Sequence, residues 1–83
     1  PDPLRLAYRD VIKNIIRDVI LHPEQDVLGF IKMQVAQLVN AADRNNLESL
    51  LIDELRRLHE GVLARYGIRP SEFVQWKAKQ PYS

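Results

Sequence analysis

Apolar side chains return every three or four positions along most of this 83-residue chain, and this spacing limits its fold more than any other feature of the sequence. A period near 3.6 residues places such side chains on one face of an α-helix, whereas a half-buried strand would need strict alternation. The chain has only three glycines, and its internal prolines fall between the periodic stretches, where they mark helix ends. The sequence therefore predicts an all-α fold.

The prolines and one glycine divide this pattern into four predicted helices. The first begins at Pro3, with Asp2 as its cap, and ends near Leu21, before a His-Pro pair that disfavours helix. The other three are predicted at residues 24–42, 47–66 and 70–79. Gly67 is placed to close the third helix in the left-handed conformation. Because short connections favour antiparallel neighbours, we expect residues 1–83 to form a single domain, a small antiparallel bundle of three long helices plus a short C-terminal helix.

The chain contains no cysteine, so neither disulfides nor thiolate metal sites can stabilise it. A domain of this size then depends on well-packed helices or on association with another chain. Charged residues interrupt every apolar run before it reaches the roughly 18 residues of a membrane span. The opening residues also lack the basic and apolar leader of a secreted protein. We therefore expect a cytoplasmic protein that does not bind membranes.

Patterns that would indicate catalysis are sparse in this sequence. His59 and Glu60 begin like the helix of a zinc protease, but the second histidine of that motif would stand where the sequence has Leu63. His22 is the only other histidine, so imidazoles cannot complete a metal site. There is no glycine-rich phosphate loop. The sequence predicts a protein that is not an enzyme and that uses no metal or cofactor.

The second predicted helix is unusual because it has no charged face. Its predicted core-facing residues are Val27, Leu28, Ile31, Val35, Leu38, Val39 and Ala42. The opposite side carries Gly29, Phe30, Met33, Ala36, Gln37, Asn40 and Ala41. Lys32 is the only charge between Val27 and Ala42, and a helix of this kind is usually buried all round.

Two alternatives remain for what covers that uncharged side of the helix. The fourth helix could cover it with Phe73 and Trp76 lying on Gly29 and Ala36, or another protein could do so. We expect a non-catalytic protein–protein interaction module that binds through this side of the second helix. Its partner would be a second copy of itself, giving at least a dimer, or a larger cytosolic protein.

The first predicted helix carries a basic stripe along its flank. Its members recur every four residues and are Arg5, Arg9, Lys13 and Arg17. The stripe is about 18 Å long. Three aspartates dilute it, namely Asp2, Asp10 and Asp18. The stripe is either an ordinary solvated face or a docking strip for an acidic or nucleic-acid partner.

The last part of the chain carries another pattern. Gly67 is followed by the apolar Ile68, and Phe73 and Trp76 stand six and nine positions after that glycine. Over residues 59–79 the chain resembles a helix-turn-helix, mainly its turn and second helix, in the form found in small transposase-associated and regulatory DNA-binding domains. The resemblance implies a DNA-binding regulator. The nucleic-acid-binding residues that it implies are Arg69, Ser71, Gln75 and Lys79.

The segment departs from that motif at specific positions. Leu63 stands where the motif has a small residue, and the helix before the turn is predicted to be longer than usual. Glu72 would take a reading position, where phosphates repel it, and a net charge of +1 provides no strongly basic surface. The other interpretation is a tight turn and a short helix whose Phe73 and Trp76 complete the core. We rank protein–protein interaction first and DNA binding second.

Overall fold

The periodic pattern forms helices throughout residues 2–22 and 26–79, the parts of the chain that the computed structural model describes. Within them the α-helices are Pro3–Ala7 (α1), Arg9–Leu21 (α2), Val27–Leu38 (α3), Arg44–Arg57 (α4) and Pro70–Ala78 (α5). Two 3-10 helices lie at Ala41–Asp43 (η1) and Glu60–Tyr66 (η2). No strand occurs in these described ranges, and the all-α prediction is confirmed.

The first predicted helix starts as expected but is not continuous. Oδ1 of Asp2 accepts a hydrogen bond from the backbone amide of Leu4, at 2.9 Å, and Pro3 is the first helical residue. The helix then breaks at Tyr8, whose backbone angles are φ −118° and ψ 29°. The Tyr8 hydroxyl donates a hydrogen bond to Oδ2 of Asp43 at 2.7 Å. This contact links the break to the start of α4, which lies far along the sequence.

The second helix ends earlier in the structure than the sequence pattern predicts. Its predicted first residues, 24 and 25, lie outside the described residues, and the described helix begins at Val27. It ends at Leu38, because the backbone becomes extended at Val39 (φ −124°, ψ 141°). That change directs the Val39 side chain into the core, where it is 4% exposed, and leaves Leu38 52% exposed.

The core-face assignment for this helix is therefore wrong at three positions. Leu28, in the first turn, is 56% exposed, and Ala42 lies in η1 with an exposed side chain. Leu38 is the third. The buried positions of α3 itself are only Ile31 and Val35.

The third predicted helix is also divided. It begins at Arg44, three residues before the predicted start, and it ends at Arg57. His59 has extended backbone angles, and its Nδ1 accepts a hydrogen bond from the backbone amide of Gly61 at 3.1 Å. Such a local side-chain bond competes with continued α-helix.

The 3-10 helix that follows explains how the core is completed. Three residues per turn bring positions i and i+3 onto the same side of the helix. Leu63 and Tyr66 have this spacing and are both buried. Gly67 then closes the element at φ 67°, as predicted, and the amides of Gly67 and Ile68 donate to the carbonyls of Ala64 and Leu63, each at 3.2 Å.

One hydrophobic cluster unites α2, α3, α4, η2 and α5. α2 packs against all four of the others. For this reason Ile16 and Ile20 are fully buried, although the sequence places them beside the basic stripe and outside the main apolar face. Phe73 and Trp76 of α5 are core residues, as predicted, with their rings stacked at a centroid distance of 5.9 Å.

Candidate functional site

The first candidate surface is the outward side of α3, termed the α3 face. Its members are Leu28, Gly29, Lys32, Met33, Ala36 and Gln37, all exposed. Lys32 is the only charged residue in α3, and Met33 is 50% exposed. The surface is therefore apolar or neutral over most of its extent.

The structure excludes the first of the two coverings for this surface, the one by the fourth predicted helix. The large side chains of α5 are buried in the core, and α5 packs mainly on α2 and η2, so it does not cover the α3 face. Of the other predicted partner-binding residues, Phe30 is half-buried against the core, and Asn40 is exposed in the connection before η1. A Cβ at Gly29 would stand 2.6 Å from Oδ2 of Asp26, so a larger residue there would displace that exposed side chain.

The second candidate surface is an open groove of about 790 Å³, termed the basic groove. It is lined by Arg5, Arg9, Asp10, Ile12, Lys13, Glu54, Arg65 and Tyr66. Three members of the predicted basic stripe lie together here, but Arg17 does not. Arg17 lies near Glu72 of α5, where it contributes to lowering the pKa of that carboxyl after the larger effects of hydrogen bonds from the Arg69 backbone and side chain.

At the floor of the basic groove, the Glu54 carboxylate accepts hydrogen bonds from two side chains. Tyr66 donates its hydroxyl proton to Oε2 of Glu54 at 2.5 Å, and the Arg5 guanidinium donates to Oε1. Burial acts to raise the pKa of Glu54, but the hydrogen bonds from Arg5 and Tyr66 outweigh it and lower that pKa. Burial and the hydrogen bond to Glu54 raise the pKa of Tyr66 to about 12. The two hydrogen bonds thus favour an ionised Glu54 and a protonated Tyr66.

The rim of the groove carries the charges that remain available. Arg9, Lys13 and Arg65 are exposed and form no ion pair with any residue in the described ranges. Sequence periodicity identified the two on α2. It missed Arg65 and Tyr66 of η2 and Glu54 of α4, because only the packing of these elements against α2 brings them to the same place.

The third candidate surface is the start of α5. The four residues implied by the helix-turn-helix resemblance, Arg69, Ser71, Gln75 and Lys79, are all exposed. Nε and a terminal nitrogen of Arg69 donate to Oε1 of Glu72 at 3.1 and 2.8 Å, and Oε2 of Glu72 accepts from the Arg69 amide. The element before the turn is a 3-10 helix and not an α-helix. The first helix that a helix-turn-helix requires is therefore not α-helical here.

Neither a metal site nor a membrane-spanning helix is found in residues 2–22 and 26–79. No group of three or more His, Cys, Asp or Glu side chains there is arranged to hold a metal ion. None of the helices in the same ranges is both long enough and apolar enough to cross a bilayer.

Comparison with known proteins adds no relative from which a function could be transferred. The sequence matches no protein-family model, and no curated protein or solved structure matches it significantly. The surfaces described above are therefore the basis for assigning a function.

Proposed function

We propose that this protein is a non-catalytic helical interaction module that self-associates through the α3 face. The observation that carries the proposal is that Leu28 and Met33 are at least half exposed on a helix whose only charge is Lys32. The core of a protein–protein interface is depleted in charge and enriched in residues such as Met. An exposed helix side of this composition is typical of a surface that another chain covers.

A second copy is the partner that this composition suits. In a symmetric contact each residue acts twice, and one Lys32 per copy causes little repulsion. Covering the exposed part of Leu28 or Met33 contributes about 1 kcal/mol per side chain, so we expect a dimer that depends on concentration. The proposal includes the cytoplasmic location expected from the sequence. It also includes antiparallel packing of the long helices, which the contacts of α3 with both α2 and α4 support.

Sedimentation equilibrium over a concentration series tests the proposal. The parent chain should be at least a dimer at high concentration, and Met33→Glu or Ala36→Glu should shift it to monomer, because burying an unpaired carboxylate costs several kcal/mol. Asn46→Glu is the matched control, since Asn46 is exposed on α4 and lies outside the α3 face. Circular dichroism establishes that each variant is folded. A parent chain that stays monomeric at every concentration refutes self-association.

DNA binding through residues 59–79 is the second proposal. The observation in its favour is the left-handed Gly67 followed by α5, on which Ser71 and Gln75 are exposed. The mutual hydrogen bonds of Arg69 and Glu72 weigh against it. They pair the Arg69 guanidinium, which would otherwise approach a DNA phosphate, with the Glu72 carboxylate.

A further inference from the structure

We propose that the basic groove binds an acidic peptide segment of a partner protein. This site lies apart from the α3 face, and its existence does not depend on self-association. The groove has a fixed shape, its free charge is positive, and its lining suits a peptide better than a nucleic acid.

The shape is fixed because packed elements provide the lining. Arg9 and Lys13 follow one another by about one turn of α2, roughly 6 Å apart along its axis. Arg65 comes from η2, which packs directly on α2. Ile12 and Tyr66 are largely buried at the base.

The free charge is positive because Glu54 is already occupied. Its two oxygens accept hydrogen bonds from Arg5 and Tyr66, so it does not neutralise the cations at the rim. Arg9, Lys13 and Arg65 then face solvent without an ion pair in the described part of the chain. A guanidinium group can bind a carboxylate through two parallel hydrogen bonds, so these side chains suit a ligand that carries separate carboxylates.

The lining distinguishes a peptide from a nucleic acid. Single-stranded nucleic acids stack their bases on exposed aromatic rings, but Tyr66 is only 8% exposed and its hydroxyl is held by Glu54. Asp10 also lines the groove and would repel a continuous chain of phosphates. A peptide can place a neutral residue beside Asp10 and its carboxylates beside Arg9, Lys13 and Arg65.

Fluorescence anisotropy with the full chain tests the proposal. The probe is a short labelled peptide in which leucine and glycine separate successive glutamates, and the control probe carries lysine in place of each glutamate. We expect the acidic probe alone to bind, with an affinity that falls as salt is added. The combined variant Arg9→Gln, Lys13→Gln and Arg65→Gln should weaken binding by about tenfold or more.

The matched control removes the same charge elsewhere, through Arg17→Gln, Arg56→Gln and Lys77→Gln, which do not line the groove. It should bind the acidic probe like the parent. Equal weakening in both triple variants overturns the proposal, because it would show a general charge effect. Absence of binding to the acidic probe at low salt, or tighter binding of a duplex oligonucleotide or of pyrophosphate, also overturns it.

Discussion

Tyr66 of η2 and Glu54 of α4 are joined by a hydrogen bond of 2.5 Å from the phenol hydroxyl to Oε2. Arg5 of α1 donates to the other oxygen of the same carboxylate. One side chain therefore joins the consecutive elements α4 and η2 to α1, which lies far from both in sequence. The contact requires Glu54 to be ionised and Tyr66 to be protonated, so the stability of the fold depends on pH through both groups.

Replacing Glu54 by glutamine should make the fold less sensitive to acid. The folded state lowers the pKa of Glu54, so its contribution is present above the pKa of the unfolded chain and is lost as pH falls through the lower, folded value. We expect Glu54→Gln to cost about 1–2 kcal/mol of unfolding free energy at neutral pH. The difference from the parent should shrink as pH falls through the ordinary pKa of a glutamate and then through the lower, folded value. Urea unfolding followed by Trp76 fluorescence measures it, and a constant difference would contradict this account.

Two neighbouring residues at the end of α3 should differ sharply in their effect on stability. Val39→Ala removes a side chain that is 4% exposed and should cost about 2 kcal/mol. Leu38→Ala removes a larger side chain that is 52% exposed, and it should cost about 0.5 kcal/mol or less. Denaturant midpoints measured on monomeric samples decide the order. A larger loss for Leu38→Ala would mean that α3 continues past Leu38 in the register that the sequence pattern suggests.

Gly67 should tolerate substitution poorly although it has space around it. Nothing lies within 4 Å of a Cβ built at this position, so the cost comes from its φ of 67° alone. We expect Gly67→Ala to lower stability by about 1–2 kcal/mol, and Gly67→Asn to lower it less, because asparagine enters the left-handed region more readily. Thermal unfolding of the two variants measures the difference. Equal loss would point to a steric cause instead.

A double variant tests the helix-turn-helix alternative. Gln75→Ala combined with Lys79→Ala changes exposed positions, so stability should stay within about 0.5 kcal/mol of the parent. We expect the parent to show no duplex affinity at moderate salt, because Glu72 occupies a reading position and the chain carries a net charge of only +1. Sequence-selective binding by the parent that the double variant loses would place DNA recognition first.

The features that the sequence predicted correctly depend on local chemistry. Asp2 and Pro3 start a helix, Gly67 ends one, and Pro70 starts another, each through the conformational preference of the residue itself. The outward direction of Met33 also follows from helical periodicity alone. These signals need no knowledge of the rest of the fold.

The errors occur where distant contacts determine the backbone. The break at Tyr8 accompanies a hydrogen bond to Asp43, which no local pattern indicates. The same holds for the basic groove: its two cations on α2 share a helix face and could be predicted, whereas Arg65 reaches the groove only because residues 60–66 wind as a 3-10 helix. An α-helical reading of that segment points Arg65 in another direction.

The 3-10 winding of η2 also restricts how its length can change. Each residue turns the chain by about 120° and advances it about 2.0 Å, so the seven residues of η2 cover about 14 Å. Inserting or deleting one residue would turn the segment after it by a third of a circle and carry Arg65 and Tyr66 away from Glu54 together. A change of three residues would restore their direction but move them about 6 Å along the axis, too far for Tyr66 to reach Glu54. Among sequences that share this fold and this contact, the length of the segment should therefore be constant.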